Sequence, residues 1–402
     1  MKIKCSMWRT RLLAVVLALF ALQSAGPARS ELIVLSLEKA IELGLENDEG
    51  LRQATEAVEG ARGLIVSARS AALPHLTISG QYGRNILLPT FFLPEEFRDD
   101  PDAPAMVEMG EDNDFLGTVT LTQILWAAGR VSAGLTAAKE YLGLYKMQKE
   151  VVTDFVRFSV QQAYFNVLLA EETLRISEKA MEATEEAVRV ARRGFENGTV
   201  SRFDLLRSEV ELENRRAPLV AARNDIDQAF LVIRRRCGFE HDAEVTLTDS
   251  LYTEPIEAVL AAFLASMLEG SAELKALNHN IAAKQQFHRI AKAERYPMMT
   301  MSAYYGIQTQ WSEGWTPPSE LVVDLAAVQV GLQIPIFDGL RARGNISRAE
   351  ADLRSAEIEF ERVTREKELA VRRSWLTLEN ALTALNGRRE AVDLAEEAYR
   401  LA

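Results

Sequence analysis

An internal duplication constrains this chain of 402 residues more than any other feature. Segment 72–83 (ALPHLTISGQYG) returns as 295–306 (RYPMMTMSAYYG), and 125–130 (LWAAGR) returns as 336–341 (IFDGLR). In each copy a helical pattern precedes the first segment, and an unusually long helical pattern follows the second. Arg341 lies 211 residues after its counterpart Arg130, whereas solenoid repeats recur every ~20 to 50 residues. The sequence therefore predicts a duplicated unit of helix, two strands and long helix.

The sequence predicts four parts of the chain: a signal peptide, a first repeat, a connecting segment and a second repeat. Residues 1–28 are predicted to be a signal peptide, because four basic residues precede the apolar run 12–22 and small residues follow it. That run is too short for a membrane helix, which needs about 20 residues. An amphipathic N-terminal helix is the alternative. The first repeat is predicted over 29–238, a connecting segment over 239–254, and the second repeat over 255–402.

Four segments show strand periodicity, at about 75–85, 115–125, 298–309 and 327–335. In each, apolar residues alternate with polar, uncharged ones. About ten residues is the length of a tilted strand that crosses a bilayer, so lipid would explain one face and a water-filled lumen the other. A half-buried sheet of a globular domain is the alternative. The predicted lumen-facing residues are Thr77, Ser79, Gln81, Thr118, Thr120, Thr122, Thr300, Ser302, Gln329 and Gln333.

Four strands cannot close a barrel, and an open sheet edge in lipid would leave backbone groups without partners. If these strands span a membrane, the chain must therefore assemble with copies of itself. The aromatic residues near the strand ends suit a belt at the membrane interface. They are Trp126, Tyr305, Trp311, Trp315 and Phe337.

The helical pattern over about 129–197 carries two neighbouring apolar stripes. Phe155, Phe158 and Phe165 lie on one stripe, and Val156 and Ala163 on the other. Two stripes predict a helix with a neighbour on each side, and a helix of this length would measure about 100 Å. The pattern stops near 197–199, a return helix is predicted over 201–236 with either a kink or a division into two shorter pieces at its internal proline, and the second long helix is predicted from 339.

Charge and motifs exclude several function classes. The formal charge is −12, and losing the four basic residues of the signal peptide would leave about −16, which argues against nucleic acid as a partner. The acid-rich segment 86–114 is interpreted as an extracellular loop, with a divalent-ion site as the alternative. The four histidines lack zinc-ligand spacing, and no phosphate loop or nucleophile motif is present. We therefore predict neither an enzyme nor a cofactor.

Several motifs resemble one known family when taken in order. They are Leu73-Pro74 before the first strand, Ala163-Tyr164 on the long helix, the segment 198–206 (GTVSRFDLL) and the segment 335–341 (PIFDGLR). Over about residues 35–402 the chain resembles the TolC-like outer-membrane efflux proteins. The resemblance implies a mostly α fold of the α+β class, in which three chains give a 12-stranded outer-membrane β-barrel continued by a periplasmic helical barrel. It also implies a periplasmic adaptor protein and an inner-membrane pump as partners.

The resemblance implies two further sites. Acidic residues near the end of the second long helix would ring the periplasmic mouth, and a solvated helix face is the alternative; these are Asp393, Glu396 and Glu397. The turn between the first long helix and its return helix would be an adaptor-contacting tip, and a plain helix hairpin is compatible with that role. Its residues are Gly198, Thr199, Val200, Ser201 and Asp204.

The sequence also departs from the family pattern. Ile124 stands where the second copy has Pro335, which loosens the first strand exit. Ala402 corresponds to Ala191 of the first copy, so a second return helix is not found and a truncated, inactive fragment is one interpretation. A periplasmic coiled-coil scaffold that transports nothing is another. Within the channel class, the sequence does not separate drugs, metal ions and proteins as cargo.

Overall fold

The computed structural model describes residues 32–92, 94, 106–251, 259–312, 314, 316 and 321–401, and the predicted signal peptide lies outside them. Seven helices and eight strands are assigned in this part of the chain. In chain order they are β1 (Ile33–Leu35), α1 (Leu37–Asn47), α2 (Glu49–Ser70), β2 (His75–Arg84), β3 (Thr90–Phe92), β4 (Met106–Glu108), β5 (Asn113–Trp126), α3 (Arg130–Glu196), α4 (Arg202–Cys237), β6 (Val245–Leu247), α5 (Leu260–Gly270), α6 (Ala272–Ala293), β7 (Met298–Trp311), β8 (Val322–Gln333) and α7 (Arg341–Leu401).

The chain forms two compact units, and the predicted first repeat is divided between them. The first unit combines the chain up to Arg52 with Val152–Ile256, and the second combines Gln53–Val151 with the chain from Glu257 onward. The division therefore does not follow the predicted repeat boundaries. Among the described residues no helix carries a stretch long and apolar enough to cross a bilayer.

The core of the first unit lies where α1 and α4 pack on the middle of α3. Val160, Tyr164 and Val167 project from one side of α3 and are buried against Leu35 and Ile233. The short strands β1 and β6 pair in parallel beside them. This buried side of α3 is one of the two stripes predicted from the sequence, since Val156 and Ala163 belong to it.

A buried tyrosine fastens the start of the chain to this core. The Tyr164 hydroxyl lies 2.7 Å from Oδ2 of Asp249 and 3.1 Å from the carbonyl oxygen of Leu35, and Asp249 also accepts a bond from the Leu37 amide at 3.1 Å. Burial, reinforced by the Asp249 carboxylate, raises the pKa of Tyr164 to about 12. The same hydroxyl lowers the pKa of Asp249. One side chain thus connects α3 to the β1–α1 junction and to the segment after β6.

The second unit contains a four-stranded antiparallel sheet in the order β2-β5-β7-β8. Its register is continuous across the strands, because Thr122 of β5 faces both His75 of β2 and Ser302 of β7, and Ser302 faces Gln329 of β8. The pairing shifts by one residue at the end of β5, between Ile124 and Trp126. This irregularity stands where the second copy has its proline.

Helices of the second unit approach one another closely at a histidine. His279 Nδ1 of α6 lies 2.8 Å from Glu140 Oε2 of α3. A Cβ atom at Gly143 would come within 2.6 Å of the His279 ring, so only glycine leaves room for it at this position. Further along, Lys367 of α7 pairs with Glu273 of α6 at 2.6 Å.

The two passages from strand into long helix repeat the same backbone conformation. Ala128 and Gly129 have φ of 48° and 80°, and their counterparts Gly339 and Leu340 have φ of 66° and 70°. Each copy therefore makes two consecutive left-handed residues, and each places one glycine and one non-glycine residue there. The duplication seen in the sequence extends to this turn.

Most predicted element boundaries differ from the structure by one or two residues. The fourth strand is the exception, since it begins at Val322 and not near 327. Val323 and Leu325, near its start, are apolar where the alternation requires polar residues. The alternating pattern therefore did not predict the first part of this strand. The strand stops at Gln333, before Pro335, which has no N–H to donate. Pro218 lies inside one continuous helix, so the expectation of two shorter pieces is wrong. The short strands β3 and β4, within the predicted acidic loop, were not foreseen.

Candidate pore-lining face, helix ends and hairpin tip

The sheet brings all ten predicted lumen-facing residues to one face. Directly opposed residues of an antiparallel pair share a face. Thr77 opposes Thr120, Ser79 opposes Thr118, and Thr300 opposes Gly331. Together with the register described above, these pairs place the following residues on a single surface: Thr77, Ser79, Gln81, Thr118, Thr120, Thr122, Thr300, Ser302, Gln329 and Gln333. That this surface lines a pore stays a prediction.

The polar face is uncharged at these ten positions, and its hydroxyl groups bond within the sheet. Ser79 Oγ and Thr118 Oγ1 lie 2.7 Å apart, and Thr77 Oγ1 donates to the Thr120 carbonyl oxygen at 3.4 Å. These side chains are short and uncharged, and they hydrogen-bond within the sheet. They therefore form a hydrated surface that offers a passing solute no charged group to bind. Such a surface suits a path along which solutes move without binding tightly.

The opposite face of the sheet is apolar and exposed. Ile78 is 80% exposed, Val328 73%, Leu76 67% and Leu332 63%. A contiguous exposed apolar surface indicates contact with a membrane or another protein. The sheet is therefore not the half-buried sheet of a globular domain, which was the alternative prediction.

Both lateral edges of this sheet lack a strand partner among the described residues, because β2 and β8 each pair on one side alone. The free edges carry unpaired backbone N–H and C=O groups. Such groups are tolerated in water but are costly in hydrocarbon.

One cluster at the far end of the sheet was missed by the sequence reasoning. Tyr82 donates to Oδ1 of Asn113 at 2.9 Å, and Asn113 Nδ2 donates to the Trp311 carbonyl oxygen at 2.9 Å. Trp311 Nε1 donates to the Gly314 carbonyl oxygen at 3.0 Å. Asn113 and Trp311 are buried, so the expectation that Trp311 belongs to an exposed belt is wrong. Tyr82, Asn113 and Trp311 come from three different strands, and the periodicity of a single segment does not indicate such a contact.

The other predicted belt residues differ in placement. Trp126, Tyr305 and Phe337 are 46%, 54% and 82% exposed, as a belt requires. Trp315 lies outside the described residues. A belt at a membrane interface stays a prediction for these three.

The predicted tip is a tightly bonded turn between α3 and α4. The Gly194 carbonyl oxygen accepts bonds from the Thr199 amide at 2.8 Å and from the Val200 amide at 3.2 Å, and Gly198 adopts a left-handed conformation with φ of 75°. Ser201 caps α4, since its Oγ accepts from the Asp204 amide at 3.2 Å and donates to the Asp204 carboxylate at 2.6 Å. The predicted tip residues thus act together in one turn, and their contact with an adaptor is untested.

An ion pair joins the two helices next to the turn, and exposed apolar side chains lie at the start of α4. An ion pair of 2.8 Å joins Arg192 of α3 to Glu209 of α4. Phe203 projects from the first turn of α4 and is 72% exposed, and Leu206 is 49% exposed. The tip therefore presents rigid backbone and apolar side chains together.

The three predicted gate acids lie on the last turns of α7. Asp393, Glu396 and Glu397 are all exposed, and none forms an ion pair with a described residue. Their exposure is compatible with both interpretations, a ring of carboxylates or a solvated face. The described residues contain no group of His, Cys, Asp and Glu side chains arranged to hold a metal ion.

The second stripe of α3 is exposed. Phe155 and Phe158 are each 61% exposed, Leu169 58% and Ile176 60%, on the same helix whose other stripe is buried at Val156, Ala163 and Val167. A helix this apolar on a solvent-facing side needs a further partner.

The comparisons with known proteins agree with this geometry. Residues 40–238 and 263–402 match the family model described as outer membrane efflux protein. The chain belongs to the outer membrane efflux protein family. It is accordingly an outer-membrane channel protein of the efflux or secretion type.

Two relatives and one solved structure illustrate the similarity. The toluene efflux pump outer membrane protein TtgF of Pseudomonas putida is 23% identical over 370 residues, which cover 91% of this chain and 73% of the relative. The alkaline protease secretion protein AprF of Pseudomonas aeruginosa is 24% identical over 320 residues, covering 77% of this chain and 63% of the relative. The Campylobacter jejuni CmeC outer membrane channel superposes with a TM-score of 0.70 at 16% identity, over 91% of this chain and 77% of the other. That likeness is one of fold.

Proposed function

We propose that three copies of this chain form the outer-membrane exit duct of an efflux or secretion system. Each copy contributes its four strands, so that three sheets close a 12-stranded barrel whose polar faces line the lumen. The observation that carries the proposal is the sheet itself, which has a polar face that is uncharged at the ten predicted lumen positions, an exposed apolar face, and two edges without a strand partner among the described residues. In lipid those edges require partners, and further copies of the same sheet supply them.

The exposed stripe of α3 supports the same assembly. Phe155, Phe158, Leu169 and Ile176 lie outside the first unit's own core and need cover from another chain. A cyclic trimer would cover them with a neighbouring copy at every interface, whereas a lone chain leaves them in water. A scaffold protein that transports nothing would not need both this apolar stripe and a sheet with an exposed apolar face.

The partners proposed are a periplasmic adaptor and an inner-membrane pump. The family works with such partners, and this chain offers the adaptor a rigid tip with exposed Phe203 and Leu206 beside the capped start of α4. The cargo is not proposed beyond solutes delivered by that pump, because TtgF is named for toluene and AprF for a protease.

The test is the mass and the conductance of the purified protein. The chain with its N-terminal 28 residues intact is expressed in a Gram-negative host, and outer membranes are extracted in detergent. We expect a particle of three chains, about 130 kDa of protein from the chain mass of 44.8 kDa, that conducts ions in a planar bilayer. A monomer that stays in the aqueous fraction after the signal peptide is removed would contradict the proposal and favour the scaffold.

A further inference from the structure

Two arginines occupy equivalent positions in the duplicated unit. Arg130 is the first residue of α3 and Arg341 the first residue of α7, each directly after the left-handed turn of its passage. The first turn of neither helix contains an acidic residue. A cation at a helix N-terminus is disfavoured by the helix dipole. Helix stability therefore does not explain why the same cation begins both long helices.

Both arginines line one cavity, at the end of the sheet where β5 and β8 lead into the long helices. The cavity measures about 170 Å³ and is bounded by Ala127 and Arg130 of the first passage and by Pro335 and Arg341 of the second. Met298 and Gln333 also line it. These two residues oppose each other in the register and lie on the same face of the sheet as Thr300 and Ser302. The cavity is thus continuous with the polar face and not with the apolar one.

The surroundings of this cavity are basic in a chain that is acidic as a whole. An adjoining cavity of about 360 Å³ is lined by Arg289 and Lys292 of α6. Across the two cavities four basic side chains accompany one acidic side chain, Glu294. The whole chain has a formal charge of −12. The excess of positive charge at this level is therefore local.

The single carboxylate that lines these two cavities is already engaged. Glu294 Oε2 accepts a bond from Asn345 Nδ2 at 2.8 Å and lies 3.9 Å from an Arg341 guanidinium nitrogen. Arg130 has no carboxylate within 4.0 Å among the described residues. The positive charge of the pair is consequently only partly neutralised, and Arg341 remains 67% exposed.

We propose that Arg130 and Arg341 determine ion selectivity at the junction between the barrel strands and the long helices, where they favour anionic over cationic solutes. This inference rests on the proposed channel, in which three copies would bring six guanidinium groups to one level of the lumen. A ring of fixed charge attracts counter-ions and repels like-charged solutes. The chemical class selected at this level is small anions, including carboxylate-bearing or phosphate-bearing solutes.

The experiment measures reversal potentials of the purified trimer in planar bilayers under a KCl gradient. The double variant Arg130→Gln, Arg341→Gln is compared with the unaltered protein, and we expect its chloride-to-potassium permeability ratio to fall at least about two-fold. Glu294→Gln removes the single carboxylate and should move the ratio in the opposite direction. Arg343→Gln is the matched control, because it makes the same charge change two residues away, where Arg343 borders neither of the two cavities.

The outcomes separate this inference from the proposed function. If the unaltered protein does not conduct, the proposed channel fails. If it conducts and the double variant keeps the same permeability ratio as Arg343→Gln, the arginines do not determine selectivity and the inference is wrong. If the ratio stays constant while binding to vesicles of anionic phospholipid is lost, the basic residues serve the lipid surface, and the inference is equally overturned.

Discussion

A lysine placed on either side of one strand provides the sharpest test of the assembly. Ile78 and Thr77 are neighbours in the middle of β2, yet their side chains lie on opposite faces of the sheet. Ile78 is 80% exposed on the apolar face. We predict that Ile78→Lys prevents stable insertion of the barrel, whereas Thr77→Lys is tolerated and changes conductance alone.

The magnitude follows from the strand position. A lysine on the lipid face of a barrel near the bilayer midplane costs about 2 to 4 kcal/mol. Three equivalent strands would multiply this to roughly 6 to 12 kcal/mol per trimer, comparable with the whole stability of a typical domain. On the lumen side the same lysine remains hydrated, and its cost is limited to the weak bond of 3.4 Å between Thr77 Oγ1 and the Thr120 carbonyl oxygen.

The assay is the yield of detergent-extracted trimer from outer membranes, followed by single-channel recording. Val328→Lys and Gln329→Lys repeat the comparison on β8, since Val328 is 73% exposed and Gln329 belongs to the polar face. Equal yields for Ile78→Lys and Thr77→Lys would refute the assignment of one face to lipid. Loss of trimer in both would show that β2 is covered on both faces.

Four further predictions concern stability. Tyr164→Phe should lower the stability of the first unit by about 2 kcal/mol, because Leu35 and Asp249 lose a buried hydrogen-bond partner. The assay is maleimide labelling of the buried Cys237 thiol in a Cys5→Ser background. The Tyr164→Phe variant should be labelled about 30-fold faster. The raised pKa of Tyr164 implies that its contribution is complete below pH 10 and is lost as pH rises through 10 toward 12, so the difference in free energy of unfolding between the unaltered protein and Tyr164→Phe should shrink over that interval. Ala128→Gly and Leu340→Gly should each raise the stability of the detergent-solubilised protein by about 1 kcal/mol in thermal or denaturant unfolding, because both residues have a left-handed backbone. Gly129→Ala and Gly339→Ala should lower the stability by about the same amount for the same reason. An unchanged stability in all four variants would contradict the turn geometry. Gly143→Ala should be destabilising because its methyl group would displace the ring of His279 from Glu140, yet stabilising by up to about 1 kcal/mol in a His279→Ala background, where only helix propensity remains.

Local periodicity predicted the elements because each long helix and strand satisfies its own pattern. The alternation over 75–85 and 298–309 identified strands, and the opposed faces followed from a period of two. The start of β8 was lost where Val323 and Leu325 occupy polar-face positions and the pairing with β7 maintains the strand. The predicted stripes of α3 were separated by the structure into a buried one and an exposed one, a distinction that depends on which neighbours belong to the same chain.

Contacts between distant segments were beyond the sequence. Tyr164 and Asp249 are 85 residues apart, and Tyr82, Asn113 and Trp311 come from three strands. Ala163-Tyr164 was recognised as a family mark, but nothing in its spacing indicates a carboxylate partner. The cavity between the two passages was hidden for the same reason, since Arg130 and Arg341 become neighbours only after β5 and β7 pair.

The duplicated passage shows how one backbone geometry persists while its residues change. Both copies need two left-handed residues to turn a strand into a helix, and a non-glycine residue there costs about 1 to 2 kcal/mol. The first copy puts its glycine second, at Gly129, and the second copy puts it first, at Gly339. In the second copy Asp338 adds a cap, because its Oδ2 accepts a bond from the Ala342 amide at 2.8 Å, whereas Ala127 at the equivalent position has no side chain to do so. The arginine that follows is the same in both copies. Since the stabilising residues of the turn vary and the cation does not, the requirement for the cation comes from the surface that the turn presents, and its charge is the property to alter first.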